Sequence, residues 1–158
     1  MDAFQAFRSA VSVVDGSYTE RLLREGQCIF EGAQGVLLDE WRGWHPYTTW
    51  STTTFDNVAT LCDSFTRLGV VRTYTTRHGA GPFVTEAPLD LPERHNGVGE
   101  WQGAFRVGHF DAVAHRYAVE VAGGVDALAV THLDAPARCP SLRAVSYTHL
   151  TLPTILRV

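Results

Sequence analysis

Residues 110–134 read FDAVAHRYAVEVAGGVDALAVTHLD, and this stretch decides the fold class. Apolar residues recur in it at three- and four-residue spacing, which predicts a helix that begins near Asp111 and stops at the glycine pair 123–124. The apolar run over 128–133 then predicts a buried strand that ends at Asp134. A helix followed at once by such a strand is typical of an α/β fold with a mainly parallel sheet flanked by helices.

Upstream of this stretch, apolar spacing and turn residues predict further helices and strands. The run CIF directly precedes a glycine-rich EGAQG turn and predicts a buried strand. Ligands of parallel sheets lie outside the carboxyl ends of the strands, where EGAQG and Asp134 would both emerge. The predicted elements are a helix in the first two dozen residues with a break at 15–17, a short helix over 18–24, a strand over 28–30, a helix over 56–68 capped by Asp56 and stopped by Gly69, a strand over 70–75, and the loop RHGAGPFVTE.

Composition and charge narrow the class of protein. The 158 residues are 45% hydrophobic and 19% charged, as expected for one globular domain. The net charge of -4 and the lack of a basic run disfavour a nucleic-acid partner. No segment approaches the roughly 18 uninterrupted apolar residues of a membrane span, and residues 1–14 lack the features of a signal peptide. We therefore expect a cytoplasmic protein with no membrane partner.

Cysteine and lysine usage excludes several kinds of site. The 3 cysteines are far apart and form no CxxC pair, so reduced structural thiols are expected rather than disulfides or a thiolate zinc site. All 13 basic residues are arginines. A P-loop lysine, a Schiff-base lysine and a kinase-type phosphate lysine are therefore excluded within this chain.

Residues 30–54, FEGAQGVLLDEWRGWHPYTTWSTTT, carry more hydrogen-bonding groups than a core strand needs. Gln34 offers an amide acceptor and amide donors, and its flanking glycines allow a tight turn and close approach of a ligand. A glutamine on a surface turn explains the same pattern. The PYTT turn over 46–49 and the hydroxyls over 51–54 would suit phosphate oxygens, or they would form a threonine-rich strand edge.

Two further groups of residues have both a functional and a structural explanation. His109, Asp111 and His115 combine metal-ligand types. However, Asp111 lies where a helix N-cap belongs, and residues six apart do not share a helix face. A metal hydrolase is therefore disfavoured and no metal ligand is predicted. Arg77 and Arg106 are isolated charges in glycine-bearing loops, where a guanidinium either clamps a carboxylate or phosphate or faces solvent.

Five segments together resemble the adenylosuccinate synthetase family. Between residues 24 and 134 they follow the order and approximate spacing of that family: FEGAQGVLLD, PYTT, TYTTRHGAGPFVTE, FRVGHFDAVAHRYAV and THLD. The resemblance implies a partial copy of that family's single α/β domain over residues 1–144. It also implies a GTP-dependent ligase of purine nucleotide biosynthesis. In that family GTP phosphorylates the six-oxygen of inosine monophosphate, and the amino group of aspartate then displaces the phosphate.

The resemblance assigns three residues to the nucleotide substrate. Gln34 corresponds to the glutamine at the reacting edge of the purine and is the expected catalytic residue, because its amide can stabilise charge developing at the six-oxygen. Thr49 corresponds to the threonine that helps to hold the 5′-phosphate. His78 belongs to the same nucleotide-binding set, although the family usually has an apolar residue there.

The resemblance assigns three more residues to the amino acid and to GTP. Arg106 corresponds to an arginine that captures the aspartate carboxylates, while His132 and Asp134 correspond to the guanine motif. Asp134 would accept hydrogen bonds from guanine. Ala104 replaces a clamping arginine and His132 replaces a lysine, so a divergent paralogue that uses another purine nucleotide or another amine is expected.

The family's amino-terminal glycine-rich loop carries the general base, the Mg²⁺ site and the phosphate cradle. Neither this loop nor the family's acid histidine has a counterpart before Phe30. We therefore expect GTP and Mg²⁺ to serve a homodimeric full-length protein, and we expect these 158 residues alone to bind nucleotide weakly at best and not to catalyse. A non-catalytic nucleotide-binding paralogue is the alternative.

The last residues read unlike the rest of the chain. From Val145 the text VSYTHLTLPT resembles the conceptual translation of a transposase sequencing adapter. An amphipathic edge strand is the structural alternative. We expect residues 145–158 to be a non-native tail.

Overall fold

A computed structural model describes residues 2–146 of the chain. It is an α/β arrangement of five α-helices and seven short strands within that range. The elements, in chain order, are α1 Asp2–Ala10, α2 Gly16–Glu25, a 3-10 turn Val36–Leu38, α3 Asp56–Ala59, β1 Leu68–Arg72, β2 Thr75–His78, β3 Val98–Gly99, β4 Gly103–Gly108, β5 Phe110–Asp111, α4 Ala112–Val121, β6 Ala127–Thr131, α5 Ala135–Arg138 and β7 Ala144–Val145.

The predicted helix and strand of residues 110–134 are confirmed. The Asp111 carboxylate accepts the amide N–H groups of Val113 at 3.1 Å and Ala114 at 2.9 Å, so it caps α4 as expected. After α4 the chain returns as β6, which pairs with β1 in parallel. β5 and β7 form a second parallel pair. The α/β fold with parallel strand pairs follows from this alternation.

A three-stranded antiparallel sheet was not predicted. Its order is β2–β4–β3, and it places Arg77 of β2 directly opposite Arg106 of β4. β2, Thr75–His78, begins at the last residue of the predicted strand over 70–75 and continues into RHGAGPFVTE, where glycine and proline favoured a loop. The antiparallel sheet matters for the candidate site because it carries two of the residues predicted for it, His78 on β2 and Arg106 on β4.

The predicted strand over residues 28–30 is wrong. Ile29 is 95% exposed and Phe30 is 40% exposed, and no strand within the described residues pairs with them. Three apolar residues indicate a strand only where a neighbouring strand accepts their backbone hydrogen bonds. The EGAQG turn therefore does not emerge from the end of a strand here.

The predicted helix over residues 56–68 is also wrong beyond its first turn. α3 spans Asp56–Ala59, and the hydroxyl of Thr60 donates to the carbonyl of Asn57 at 2.7 Å, which competes with helix propagation. Gly69 is not a helix stop but a residue of β1. A Cβ atom on Gly69 would lie 2.7 Å from Cδ2 of Leu128, so glycine admits the β6 side chain.

Two further predictions concern the ends of the chain, namely the break between the first two helices and the non-native tail. A break between the first two helices is present, but it lies at residues 11–15 rather than 15–17. Gly16 and Ser17 already belong to α2, which Asp15 caps by accepting from the amide of Ser17 at 3.0 Å. Val145, the first residue of the expected non-native tail, pairs with Asp111 in the β5–β7 ladder. Residues 147–158 lie outside the described residues, so that prediction remains open. Among residues 2–146 no helix is long and apolar enough to cross a bilayer.

A partly buried ion pair ties the segment after β2 to β1. The Glu93 carboxylate accepts the amide of His95 at 3.0 Å and the guanidinium of Arg72 at 3.2 Å. The His95 amide first, and then Arg72 and Asn96, outweigh the effect of burial and lower the pKa of Glu93 to about 2.

Lowering the pH below about 4.5 is expected to destabilise the fold through Glu93, because the unfolded chain takes up this proton first. The contribution is complete above the unfolded pKa and is lost as the pH falls towards the folded pKa of about 2. Urea unfolding at pH 3 and pH 6 tests this: Glu93→Gln should lose less stability between the two pH values than the parent chain. The exposed Glu100→Gln is the control, and an unchanged pH dependence in Glu93→Gln would contradict the assignment.

Candidate functional site

A buried carboxylate organises the loop that follows Gln34 and carries Thr49. Asp39 is 2% exposed. One of its oxygens accepts the amides of Trp41 and Arg42, each at 2.9 Å, and the other accepts the amide of Thr53 at 2.8 Å. Burial acts to raise the pKa of Asp39, but these three backbone hydrogen bonds and the charge of Arg42 together lower it. Residues 35–54 thereby fold back on themselves as one hydrogen-bonded loop.

Gln34 lies at the entrance of this loop in a strained backbone conformation. Its φ is 63°, in the left-handed region, whereas Gly35 is extended with φ of -105°. The tight turn therefore falls on the glutamine and not on its flanking glycine, contrary to the sequence expectation. Gln34 and His132 are the only non-glycine residues with positive φ among residues 2–146. Such strain concentrates at ligand sites, and both residues belong to the predicted site.

Thr49 is held close to the start of the same loop. Its amide donates to the carbonyl of Leu38 at 2.7 Å, and the amide of Tyr47 donates to the carbonyl of Trp44 at 2.9 Å. The PYTT turn therefore rests against the 3-10 turn that follows Gln34. The structure thus ties the PYTT turn to the 3-10 turn Val36–Leu38, which directly follows EGAQG in the chain.

Arg77 joins the PYTT turn to the loop that follows β2. It is 8% exposed, and its guanidinium donates from Nε to the carbonyl of Ala80 at 2.9 Å and from a terminal nitrogen to the carbonyl of Tyr47 at 3.0 Å. Gly81, with φ of 112°, packs directly against this guanidinium. Sequence reasoning left Arg77 as a clamp or a surface charge, and burial excludes the surface charge.

His78 lines a cavity of about 660 Å³ between β1, β2 and α4. Its ring packs edge to face on Phe105 with the centroids 5.7 Å apart. The Nε2 atom is buried and has no hydrogen-bond partner among the described residues. Since buried polar atoms are almost always paired, Nε2 is available to a polar group of a ligand. The volume falls within the roughly 300–1,000 Å³ typical of small-molecule sites.

His132 and Asp134 follow the carboxyl end of β6. The His132 carbonyl accepts the Thr73 hydroxyl at 2.7 Å, and its ring packs edge to face on Tyr74 at 5.5 Å. His132 lines the same cavity as His78. The carboxylate of Asp134 is largely exposed and contacts Arg138 at 3.0 Å. An exposed carboxylate just beyond a strand end is open to a ligand's N–H groups.

The donors of Arg106 are engaged within the fold. Nε donates to Glu86 at 2.9 Å, a terminal nitrogen contacts the same carboxylate, and the other terminal nitrogen donates to the carbonyls of Gly79 and Gly81 at 3.0 and 2.9 Å. The hydrogen bond from Arg106 lowers the pKa of Glu86. Arg106 therefore holds the loop after β2 from one side, while Arg77 holds it from the other.

The residues considered as metal ligands make contacts with the backbone around them. Asp111 caps α4, Nδ1 of His109 faces the amide of Arg143 at 3.3 Å, and Nδ1 of His115 lies 2.6 Å from the carbonyl of Asp111. Within residues 2–146 there is no group of three or more His, Cys, Asp or Glu side chains arranged to hold a metal ion.

Sequence reasoning missed Asp39 and left Arg77 with two alternative roles, although these two residues hold the site together. Asp39 follows the apolar run VLL and precedes a turn, and an acidic residue at such a place is a signal for backbone capping. Arg77 carried no such signal, because only the antiparallel pairing of β2 with β4 buries it.

Comparison with known proteins places the chain in one family. Residues 2–150 match the adenylosuccinate synthetase family model. The adenylosuccinate synthetase of Leuconostoc citreum is 36% identical over 150 residues, which is 87% of this chain and 35% of that protein. The adenylosuccinate synthetase of Colwellia psychrerythraea is 43% identical over 116 residues, covering 67% of this chain and 27% of that protein.

A solved structure agrees with the sequence relatives. The fully ligated adenylosuccinate synthetase from Plasmodium falciparum superposes with a TM-score of 0.51 at 30% identity, over 66% of this chain and 27% of that one. The chain spans about a third of the length of these relatives. The match over nearly all of its residues shows that the chain belongs to the adenylosuccinate synthetase family.

Proposed function

We propose that this chain is part of a GTP-dependent purine nucleotide ligase. In the proposed reaction the terminal phosphoryl group of GTP passes to the six-oxygen of inosine monophosphate, or of a related purine nucleotide. The amino group of aspartate, or of a related amine, then attacks the six-carbon, so that a carbon–nitrogen bond forms and inorganic phosphate leaves. The match of residues 2–150 to the adenylosuccinate synthetase family is the observation that carries this proposal.

Three residues are proposed to meet the purine nucleotide. Gln34, on an exposed and strained turn, would present its amide to the six-oxygen and stabilise the charge that develops there. Thr49, held at 2.7 Å from Leu38 through its backbone, would place its hydroxyl at the 5′-phosphate. His78 would use its unpaired Nε2 atom for a polar group of the same ligand.

The residues present fit the base of GTP better than they fit Mg²⁺. Asp134 offers an exposed carboxylate, which can accept two N–H groups from guanine. His132 lies two residues before it in the chain, with its ring packed on Tyr74. For Mg²⁺, in contrast, the described residues contain no cluster of carboxylates that would supply several oxygen ligands.

The amine donor is proposed to be selected differently from that of typical family members. Arg106 could reach a substrate carboxylate only by releasing Glu86, whose oxygen it now holds at 2.9 Å. Ala104, the position of a second clamping arginine in the family, is exposed on β4 and has no charge. The engagement of Arg106 with Glu86 and the lack of charge at Ala104 both weaken a clamp for a dicarboxylate. This weakening supports the proposal of a divergent paralogue.

A chimaeric enzyme tests the proposed function. Residues 2–144 would replace the matching segment of the Leuconostoc citreum relative, and turnover of inosine monophosphate with aspartate and GTP would be measured. We expect GTP-dependent ligation, and Gln34→Ala should lower kcat by roughly 100- to 1,000-fold while nucleotide binding persists. The exposed Gln5→Ala in α1 is the matched control and should leave kcat unchanged.

The outcome separates the two candidate functions. A folded chimaera that binds inosine monophosphate but turns over neither aspartate nor another amine would support the non-catalytic nucleotide-binding paralogue. Turnover of aspartate at the rate of the parent enzyme would instead contradict the proposal of an altered amine donor.

A homodimer in the cytoplasm is proposed for the full-length protein. The dimer rests on the family resemblance alone. The cytoplasmic location is supported by the three cysteines, all of which are free, since exposed and half-buried thiols persist in a reducing compartment.

A further inference from the structure

Arg77 is a buried cation whose hydrogen bonds go only to carbonyl groups. It is 8% exposed, and among the described residues no carboxylate lies within ion-pair distance of it. Burial, and then the charge of Arg106, lower the pKa of Arg77 from its ordinary value. A buried cation without a carboxylate is costly, so stability alone does not explain an arginine here.

The guanidinium of Arg77 spans two segments that the chain separates by thirty residues. One nitrogen holds the carbonyl of Tyr47 in the PYTT turn, and another holds the carbonyl of Ala80 in the loop after β2. A Cβ atom on Gly81 would lie 2.8 Å from Cβ of Tyr47, so the two segments touch beside the guanidinium. A shift of either segment must therefore move the other.

The local charge favours an anionic ligand. Arg77 and Arg106 are cross-strand neighbours, and Glu86 neutralises only Arg106. One positive charge thus remains beneath the turn that carries Thr49. A phosphate group bound at the turn would supply the missing countercharge, and the field of a cation in a poorly solvated site acts strongly at short range.

We propose that Arg77 is a positioning residue that fixes the PYTT turn against the loop after β2, so that Thr49 meets the 5′-phosphate while His78 meets the rest of a purine nucleoside monophosphate. The inference rests on the proposed function and deepens it, because it names what sets the distance between the phosphate end and the base end of the site. A lysine keeps the charge but cannot reach both carbonyls, since its single ammonium lacks the planar fork of a guanidinium.

The test compares inosine monophosphate with inosine, which lacks the phosphate. Binding of each ligand to the 158-residue chain would be measured by amide chemical shifts in NMR titrations, for the parent chain, Arg77→Lys and Arg143→Lys. Arg143 is the matched control because it is a half-buried arginine that also donates to backbone carbonyls, those of Pro140 and Leu142, and it does not line the cavity. We expect the parent chain and Arg143→Lys to prefer the monophosphate, and Arg77→Lys to lose roughly tenfold of that preference with little change in inosine binding.

A measurement on the parent chain tests the inference even if Arg77→Lys does not fold. The Nε–H resonance of Arg77 should be visible because the group is buried and donates to Ala80. It should shift on addition of inosine monophosphate and not on addition of inosine, while the backbone amide resonance of Arg143 stays in place.

Three outcomes decide the inference. Loss of the phosphate preference in Arg77→Lys, or the selective shift of the Arg77 resonance, supports it. A monophosphate preference that Arg77→Lys retains in full, or an Arg77 resonance indifferent to the phosphate, overturns it and leaves the proposed function standing. A parent chain that binds neither ligand also overturns the inference, whereas the proposed function of the full-length protein is decided separately by turnover of the chimaeric enzyme.

Discussion

Replacing Gly81 by alanine is expected to lower the free energy of unfolding by about 3 kcal/mol, which combines backbone strain with overpacking. Gly81 has φ of 112°, a conformation that side chains disfavour. A Cβ atom there would also lie 2.8 Å from Cβ of Tyr47 and equally close to the guanidinium carbon of Arg77. The alanine can be accommodated only if the PYTT turn and the loop after β2 separate.

Substitutions at two other glycines separate the cost of backbone strain from the cost of overpacking. Gly124 has φ of 85° with open space around it, so Gly124→Ala should lose only about 1 kcal/mol from backbone strain. Gly97 has open space and no positive φ, and Gly97→Ala should be nearly neutral. Urea unfolding of the three variants measures the series. If Gly81→Ala were no worse than Gly124→Ala, the close packing at the Arg77 junction would be contradicted.

Replacing Asp39 by alanine is expected to cost roughly 3–4 kcal/mol of stability, because three backbone donors lose a buried, charged acceptor together. The carboxylate accepts from Trp41, Arg42 and Thr53, and it is the hub of residues 35–54. The same change should weaken binding of inosine monophosphate, since Thr49 lies in the loop that Asp39 holds closed.

Asp39→Asn and Asp90→Ala complete the Asp39 experiment. The asparagine keeps one acceptor oxygen without the charge, so its loss should fall between that of the parent chain and that of Asp39→Ala. Asp90 is exposed, and its change to alanine should leave stability within about 0.5 kcal/mol. An Asp39→Ala chain as stable as Asp90→Ala would show that the loop does not depend on its buried carboxylate.

The elements that the sequence predicted are those whose signal is local. α4 has an apolar stripe, an aspartate cap and a terminal glycine pair, and each of these acts within a few residues. The strand after it was predicted over residues 128–133 and occurs as β6, Ala127–Thr131. Its expected full burial was wrong, because Leu128 is 50% exposed and Val130 is 47% exposed.

The elements that the sequence could not predict depend on distant partners. Residues 28–30 have the composition of a strand but no neighbour to pair with among the described residues. Conversely, Arg77 and His78 open a glycine- and proline-bearing segment that favoured a loop, and they become part of β2 because β4 pairs with Thr75 through His78. The fate of such short segments is set by tertiary contacts rather than by propensity.

The residues of the candidate site also fall into two groups, those that motifs in the sequence predict and those whose role depends on the fold. The residues proposed to touch ligands, such as Gln34, Thr49 and Asp134, were predicted from motifs that can be read along the chain. The supporting roles of Asp39 and Arg77 became visible only with the fold, because each one links segments that are separated in sequence. The three-dimensional structure thus adds a framework to a list of predicted ligand-facing residues.

One NMR titration tests the central claim most directly, which is that EGAQG, PYTT and the loop after β2 form one nucleotide-binding unit. Inosine monophosphate would be added to the isotope-labelled 158-residue chain, and the amide shifts mapped residue by residue. We predict saturable shifts that cluster at Gln34, Thr49 and His78, with weak affinity, and little change in α1 and α2. Shifts that are absent, or that are scattered without regard to these three segments, would contradict the account.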